Sequence, residues 1–379
     1  MQWQIRRGIR RAVTLTAVLA CALAGASACA SKAGAGGSGG GGGLSGKVYM
    51  LLPNQTTSRY ILRDGPQFVA EMKQKAPNVQ VVLKNANGDP TTQQQQAENA
   101  ITAGASLIVL LAADQDLAAG ILKEASTAKV PVISYELQAN GGPVSAAVLF
   151  DPLQVGENQG KYAAAYLNAL PGQGIPVERV FGNPGEYGTQ KYLVGQNTEL
   201  DPLVKSGKIK VVCQNYTANW DPTIAQQSVE DCLSANHNNV KAIVTMNDGT
   251  ALGSVAALKT VNLQGTIPVI GGQDGDLINM QYMLLGWQHD TEYKNIPDLV
   301  NAAVNDTVQL LQHPTDKLPS SLTNGVYANG YENVPAFFVA PTAETGASGV
   351  ADVVKKGGWT WKQICTGPAA ATATCKSQP

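Results

Sequence analysis

From Lys47 onward, short apolar runs without a polar face alternate with longer amphipathic stretches. Strands are expected at Lys47–Leu52, Val79–Lys84, Leu107–Leu111 and Val130–Tyr135. Helices are expected between them, at Arg59–Lys75 with Pro66 in its first turn or kinking it, Thr91–Thr102 and Leu117–Ala128. The rhythm restarts with strands at Ala146–Phe150, Val177–Gly182, Ile209–Gln214, Ala242–Met246 and Ile267–Ile270. Their intervening helices are Gln154–Leu170, Thr189–Lys205, Pro222–Ala235 and Gly249–Val261, followed by Asp276–Leu285. An extended run at Trp287–Tyr293 and a helix at Ile296–Leu311 close the pattern. Strands that lack alternation are buried on both faces, which requires a parallel sheet flanked by helices. Two such series predict an α/β chain of two doubly wound lobes.

The first 45 residues break this pattern. Arg6, Arg7, Arg10 and Arg11 precede an uncharged apolar run from Ala12 to Ala28, the outline of a secretory signal. Small residues Ser27 and Ala28 stand before Cys29, as in a bacterial lipobox, so Cys29 is the expected lipidated residue. Val18 to Cys21 also fits a lipobox locally, but cleavage there leaves an apolar remnant. A short transmembrane anchor is the competing reading of the run. Residues 29–45 are nearly all small, with a glycine tract at 34–43 that reads as a flexible tether.

Charge narrows the partners. The 27 basic and 28 acidic residues nearly cancel, and loss of the four leader arginines leaves an acidic body. That excludes the concentrated basic surface of a nucleic-acid binder. In an exported chain, Cys213, Cys232, Cys365 and Cys375 suggest two disulfides, with sequence-local pairing the expectation among three connectivities. No cysteine and histidine spacing suggests a metal, and no GxSxG, HExxH or Walker sequence suggests catalysis. A cofactor is not expected.

The chemistry lies at the strand ends. In an open parallel sheet, ligands bind beyond the carboxyl ends of the strands. Arg59-Tyr60, Tyr135-Glu136, Phe150-Asp151, Glu186-Tyr187, Asn219-Trp220-Asp221, Asn247-Asp248, Gln273-Asp274 and Tyr293-Lys294 all fall there. Carboxylates, amides and cations mixed with aromatics suit a polyhydroxylated ligand. Asp221, Asp248 and Asp276 serve equally well as helix caps, and Arg59 and Lys294 as solvated residues. Asp274 with Asp276 also permits a carbohydrate enzyme.

Asn85-Ala-Asn-Gly88, Glu98-Asn99, Ser206–Val212, Asn219-Trp220, Asn247-Asp248, Gly272-Gln-Asp274, Tyr293-Lys294 and Lys356-Gly-Gly-Trp359 occur in order. On these stretches the chain resembles the bacterial xylose-binding proteins, within the type I periplasmic sugar-binding proteins of ABC importers. The resemblance spans about Lys47 to Cys365. It implies two Rossmann-like lobes joined by three crossovers near Asp151, Lys294 and Val334, with no catalysis. The lobes would comprise residues 46–151 with 294–334, and 152–293 with 335–379. It further implies a monomeric, lipid-anchored receptor that captures a monosaccharide and meets a permease. A sensor kinase or chemoreceptor is the alternative partner. Arg59, Trp220, Asn247, Asp274 and Lys294 match ligand-contacting positions of the family, and Tyr60 replaces its Trp. Departures fall at Glu136-Leu137, Asp151-Pro152 and Glu186-Tyr187. They remove a guanidinium and an amide, while Glu136 and Tyr187 offer contacts to a different sugar.

Overall fold

The computed structural model describes residues 43–314 and 318–378; the expected signal, Cys29 and almost all of the tether lie outside them. The chain builds β1 (Ser45–Leu52), α1 (Gly65–Lys75), β2 (Asn78–Asn85), α2 (Pro90–Thr102), β3 (Leu107–Leu110), α3 (Ala118–Thr127), β4 (Val132–Tyr135) and β5 (Ala146–Phe150). A second series follows: α4 (Pro152–Ala169), β6 (Ile175–Phe181), α5 (Tyr187–Lys205), β7 (Ile209–Tyr216), α6 (Pro222–Ala235), β8 (Ala242–Thr245), α7 (Asp248–Thr260), β9 (Val269–Ile270) and α8 (Leu277–Leu285). The chain then continues through β10 (Asp290–Tyr293), α9 (Ile296–Gln312), β11 (Gly325–Ala328), β12 (Asn333–Val339), β13 (Thr342–Thr345) and α10 (Gly346–Lys355).

Two lobes result. The larger sheet has the order β11-β12-β5-β4-β3-β1-β2, and the smaller β7-β6-β8-β9. Every pairing in them is parallel except β11 with β12. Strands β3, β4, β5 and β8 are buried along their whole length, as continuous apolar runs require. One face of the larger sheet packs on Phe68 and Met72 of α1 and on Leu299, Val300 and Val304 of α9. Its other face packs on Ala97 and Ala100 of α2 and Ile121 and Leu122 of α3. The smaller sheet encloses Val229 and Leu233 of α6 with Val255 and Leu258 of α7.

Several expectations change. The strand at Ala146, which opens the second series of the sequence pattern, lies in the larger sheet: β5 pairs with β4 there, and the second sheet begins at β6. The strand expected over Ile267–Ile270 is reduced to Val269–Ile270. The crossover expected at Val334 falls inside β12, which pairs with β5 as far as Val339. The hairpin of β11 and β12 widens the larger sheet, so the chain leaves it only after Val339.

Helices α4 and α5 lie against each other through glycines. A Cβ on Gly156 would meet the Tyr192 carbonyl oxygen at 2.4 Å, and one on Gly195 the Glu157 nitrogen at 2.4 Å. Only glycine allows this approach, which seats Tyr192. Cys213 of β7 is joined to Cys232 of α6, and Cys365 to Cys375 in the tail. The first closes 19 residues, which in the chain-entropy account stabilises by about 3 kcal/mol.

Candidate functional site

The segment expected to be helical from Arg59 opens with a π-turn at Tyr60–Asp64, closed by Gly65 N–H donating to the Tyr60 carbonyl, and Pro66 sits in the first turn of α1 that follows. Arg59 and Asp64 bracket that turn. The guanidinium grips the carboxylate as a fork, with Nε to Oδ2 at 2.9 Å and Nη2 to Oδ1 at 2.8 Å. Asp64 also accepts from the Tyr135 hydroxyl at 2.6 Å. Arg59 is 1% exposed, and its third nitrogen, Nη1, reaches Asp274 Oδ1 of the other lobe at 3.2 Å. Glu136 Oε1 is 3.6 Å from the same Nη1 and accepts from Lys294 Nζ at 2.6 Å. Glu136 Oε2 accepts from the Tyr60 hydroxyl at 2.7 Å. Lys294 Nζ lies 3.5 Å from Asp274 Oδ1. One network thus joins Arg59, Tyr60, Glu136, Asp274 and Lys294.

Burial raises the pKa of Glu136, but Lys294 and Arg59 pull harder and take it down to about 2. Burial opposes the charges of Arg59 and Lys294, and the surrounding carboxylates overcome it, so both sit above their ordinary values. Glu136, Arg59 and Lys294 therefore stay charged throughout the physiological range, while burial and Glu136 keep the Tyr60 phenol neutral.

The smaller lobe supplies the facing wall. Trp220 has φ of +55° after Asn219 at +54°. Such backbone in a bulky residue is uncommon and persists only where its surroundings dictate it. The indole donates Nε1–H to Glu186 Oε2 at 2.9 Å and lies over Gly182. A Cβ there would meet the ring at 1.9 Å. Gly182→Ala is therefore expected to push the indole out of its seat and to weaken ligand binding at least tenfold, while Tm falls by only a few degrees; calorimetry with melting curves checks this. Asn247 caps α7 through Thr250 N–H at 2.8 Å and remains beside the cavity.

Tyr60, Glu136, Trp220, Asn247, Asp274 and Lys294 line one narrow cavity between the lobes, about 20 Å³ in volume as the walls stand here. Arg59 lies behind it, bonded to Asp274. Asp151 and Tyr187 do not join. Asp151 is exposed and caps α4, accepting from Leu153 N–H at 2.9 Å and Gln154 N–H at 3.2 Å. Tyr187 is 43% exposed on the first turn of α5. Asp276 makes no cap bond, contrary to expectation; its Oδ2 accepts from Ser58 Oγ of the other lobe at 2.6 Å. Burial and Asp274 push Asp276 up to about 6. Asp221 does cap its helix, accepting from Thr223 N–H at 2.8 Å.

Five further residues line the cavity: Thr57, Leu137, Glu186, Tyr192 and Gln273. Glu186 and Gln273 stand among the strand-end residues the sequence points to, and Leu137 among its departures from the family pattern. Thr57 lies in the loop before Arg59. Tyr192 gave no signal, because it enters from the second turn of α5.

The periplasmic binding protein domain matches residues 48–315. The chain belongs to the periplasmic binding protein family. This periplasmic binding protein is 31% identical over 287 residues to the D-xylose-binding periplasmic protein of Escherichia coli K12, covering 76% of this chain and 83% of that one. It is 28% identical over 312 residues to the multiple sugar-binding periplasmic receptor ChvE of Rhizobium radiobacter, covering 79% and 86%. Among solved structures it is similar to an ABC transporter solute binding protein from Clostridium phytofermentans with bound β-D-glucose. The TM-score there is 0.73 at 25% identity, covering 84% of this chain and 99% of that one. The family comprises substrate-binding proteins of transporters rather than enzymes, which removes the carbohydrate-enzyme reading of Asp274 and Asp276.

Proposed function

We propose that this protein captures a monosaccharide, a xylose-like pentose or a related sugar, between its lobes and delivers it to an ABC importer. The observation that carries the reading is the cavity itself. Fixed carboxylates and cations from both lobes meet there beside Tyr60, Tyr192 and Trp220. Carboxylates accept sugar hydroxyls, and an indole face covers the C–H face of a pyranose. The relatives named as sugar binders support the same ligand class.

The lobes would hinge where the chain crosses between sheets, at Asp151, at Lys294 and after Val339. Arg59 to Asp274, Ser58 to Asp276, and Thr56 Oγ1 to the Asn219 carbonyl at 2.6 Å would hold them shut. Cys29, lipidated, would anchor a monomer outside the cytoplasm through its glycine tether, facing permease subunits. Delivery to a sensor uses the same cleft, and the name of the Rhizobium receptor favours keeping that second reading.

Isothermal titration against pentoses, hexoses and polyols tests the ligand class. Micromolar or tighter binding of at least one sugar is expected, lost by more than 100-fold in Trp220→Ala. A folded protein that binds none of them would refute the proposal.

A further inference from the structure

The cavity's charged groups are unevenly divided between cations and acids. The donors are largely committed to the protein's own acids: Arg59 to Asp64 and Asp274, Lys294 to Glu136, Tyr60 to Glu136 and Trp220 to Glu186. The Asn247 and Gln273 amides each bring a donor as well as an acceptor. Gln273 is 3% exposed, lines the cavity, and its Oε1 has no partner. Glu186 takes hydrogen bonds from Trp220 and Asn183 but has no ion pair among the described residues.

Two cations, Arg59 and Lys294, face three carboxylates, Asp64, Glu136 and Asp274. Glu186 is a fourth acid on the opposite wall. A buried acceptor without a donor, or a carboxylate without a cation, is costly, and a ligand that supplies either recovers that cost. A hydroxyl brings one hydrogen. An ammonium brings three, together with a positive charge and no acceptor.

Resting on the monosaccharide reading above, we infer that the site takes protonated amino sugars as well as, or better than, neutral sugars, and rejects sugar acids and sugar phosphates. Glu186 is the residue that sets this preference. An anionic ligand would add negative charge to a site already in excess. Burial and the nearby Glu136 push Glu186 up to about 7, so ionising it in the empty cavity is unfavourable, and a ligand cation offsets that penalty.

Calorimetry at pH 6.5 tests this with D-xylose, D-glucose and D-galactose, their 2-amino-2-deoxy derivatives and the corresponding sugar acids. The comparison is made within the series whose neutral member binds tightest. The amine is expected within threefold of its parent or tighter, and the acid at least tenfold weaker. Glu186→Gln, which keeps an oxygen for the Trp220 indole, is expected to lower the amine-to-neutral affinity ratio at least fivefold. A purely positioning role for Glu186 would scale both ligands together. An acid within tenfold of its parent, an amine more than threefold weaker, or an unchanged ratio in the variant overturns the inference. If no neutral sugar binds, the monosaccharide reading has failed, and this inference fails with it.

Discussion

Arg59→Ala is expected to destabilise the protein by about 3–5 kcal/mol, the usual loss when one partner of a buried ion pair is removed. In a chain of this size that corresponds to a fall in Tm of roughly 10 °C. The reason is the number of charges left behind. Asp64, Glu136 and Asp274 all face this one guanidinium, and it is 1% exposed. Lys294 contacts Glu136 and Asp274, but Asp64 has no second cation among the described residues. The double variant Arg59→Leu with Asp64→Leu is expected to recover much of the loss, because an apolar pair often substitutes for a buried ion pair at little cost. Neither protein should bind sugar, since Asp274 loses its anchor in both. Melting curves decide the matter: a fall below about 3 °C in Arg59→Ala would show that the network carries little of the fold's stability.

Stability is also expected to decline as pH rises from 5 to 8. Burial pushes Glu178, Asp290 and Asp306 each up to about 8. In the unfolded chain such acids lose their protons near pH 4. The folded state therefore holds protons that the unfolded state has released, and folding is favoured most at low pH. That contribution is complete below about pH 4 and is lost progressively up to about pH 8. Glu136, held at about 2, works in the opposite sense: its contribution is present above about pH 4 and is lost as pH falls toward 2. The maximum should lie near pH 4–5, with Tm at least about 5 °C lower at pH 8. Asp306 identifies the cause, because its Oδ2 is buried on α9 without a partner. Asp306→Asn should raise Tm at pH 8 and leave pH 5 nearly unchanged. A Tm that is flat or rising from pH 5 to 8 would contradict the assignment.

Much of the fold was legible because burial on both faces leaves a plain signature. Runs such as Leu107–Leu110 and Ala242–Thr245, without a polar face and set between helical stretches, read as interior parallel strands and are buried along their whole length. The β11–β12 hairpin was not legible: its burial alternates irregularly and its partner β5 is nearly two hundred residues earlier. The site followed from one rule, that strand ends converge. The side chains of Glu136, Asp274 and Lys294 continue from their strand ends to one cavity wall. The rule failed for Asp151, because an aspartate in extended backbone just before a helix turns back to that helix's own N–H groups. It missed by one residue at Glu186-Tyr187, since the start of α5 directs the glutamate inward and leaves the tyrosine at the rim. The π-turn after Arg59 has no sequence signature of its own, yet it is the element that brings Asp64 back to the guanidinium.

The two disulfides have a mechanical consequence. Cys213–Cys232 ties a strand to its neighbouring helix within the smaller lobe, and Cys365–Cys375 closes a small loop in the tail. Neither spans a crossing between the sheets. Each bridge can therefore stiffen the part of the chain it closes without tying the two sheets to each other. Under the proposed hinge motion, resistance to unfolding and ease of opening would then be set by different parts of the chain.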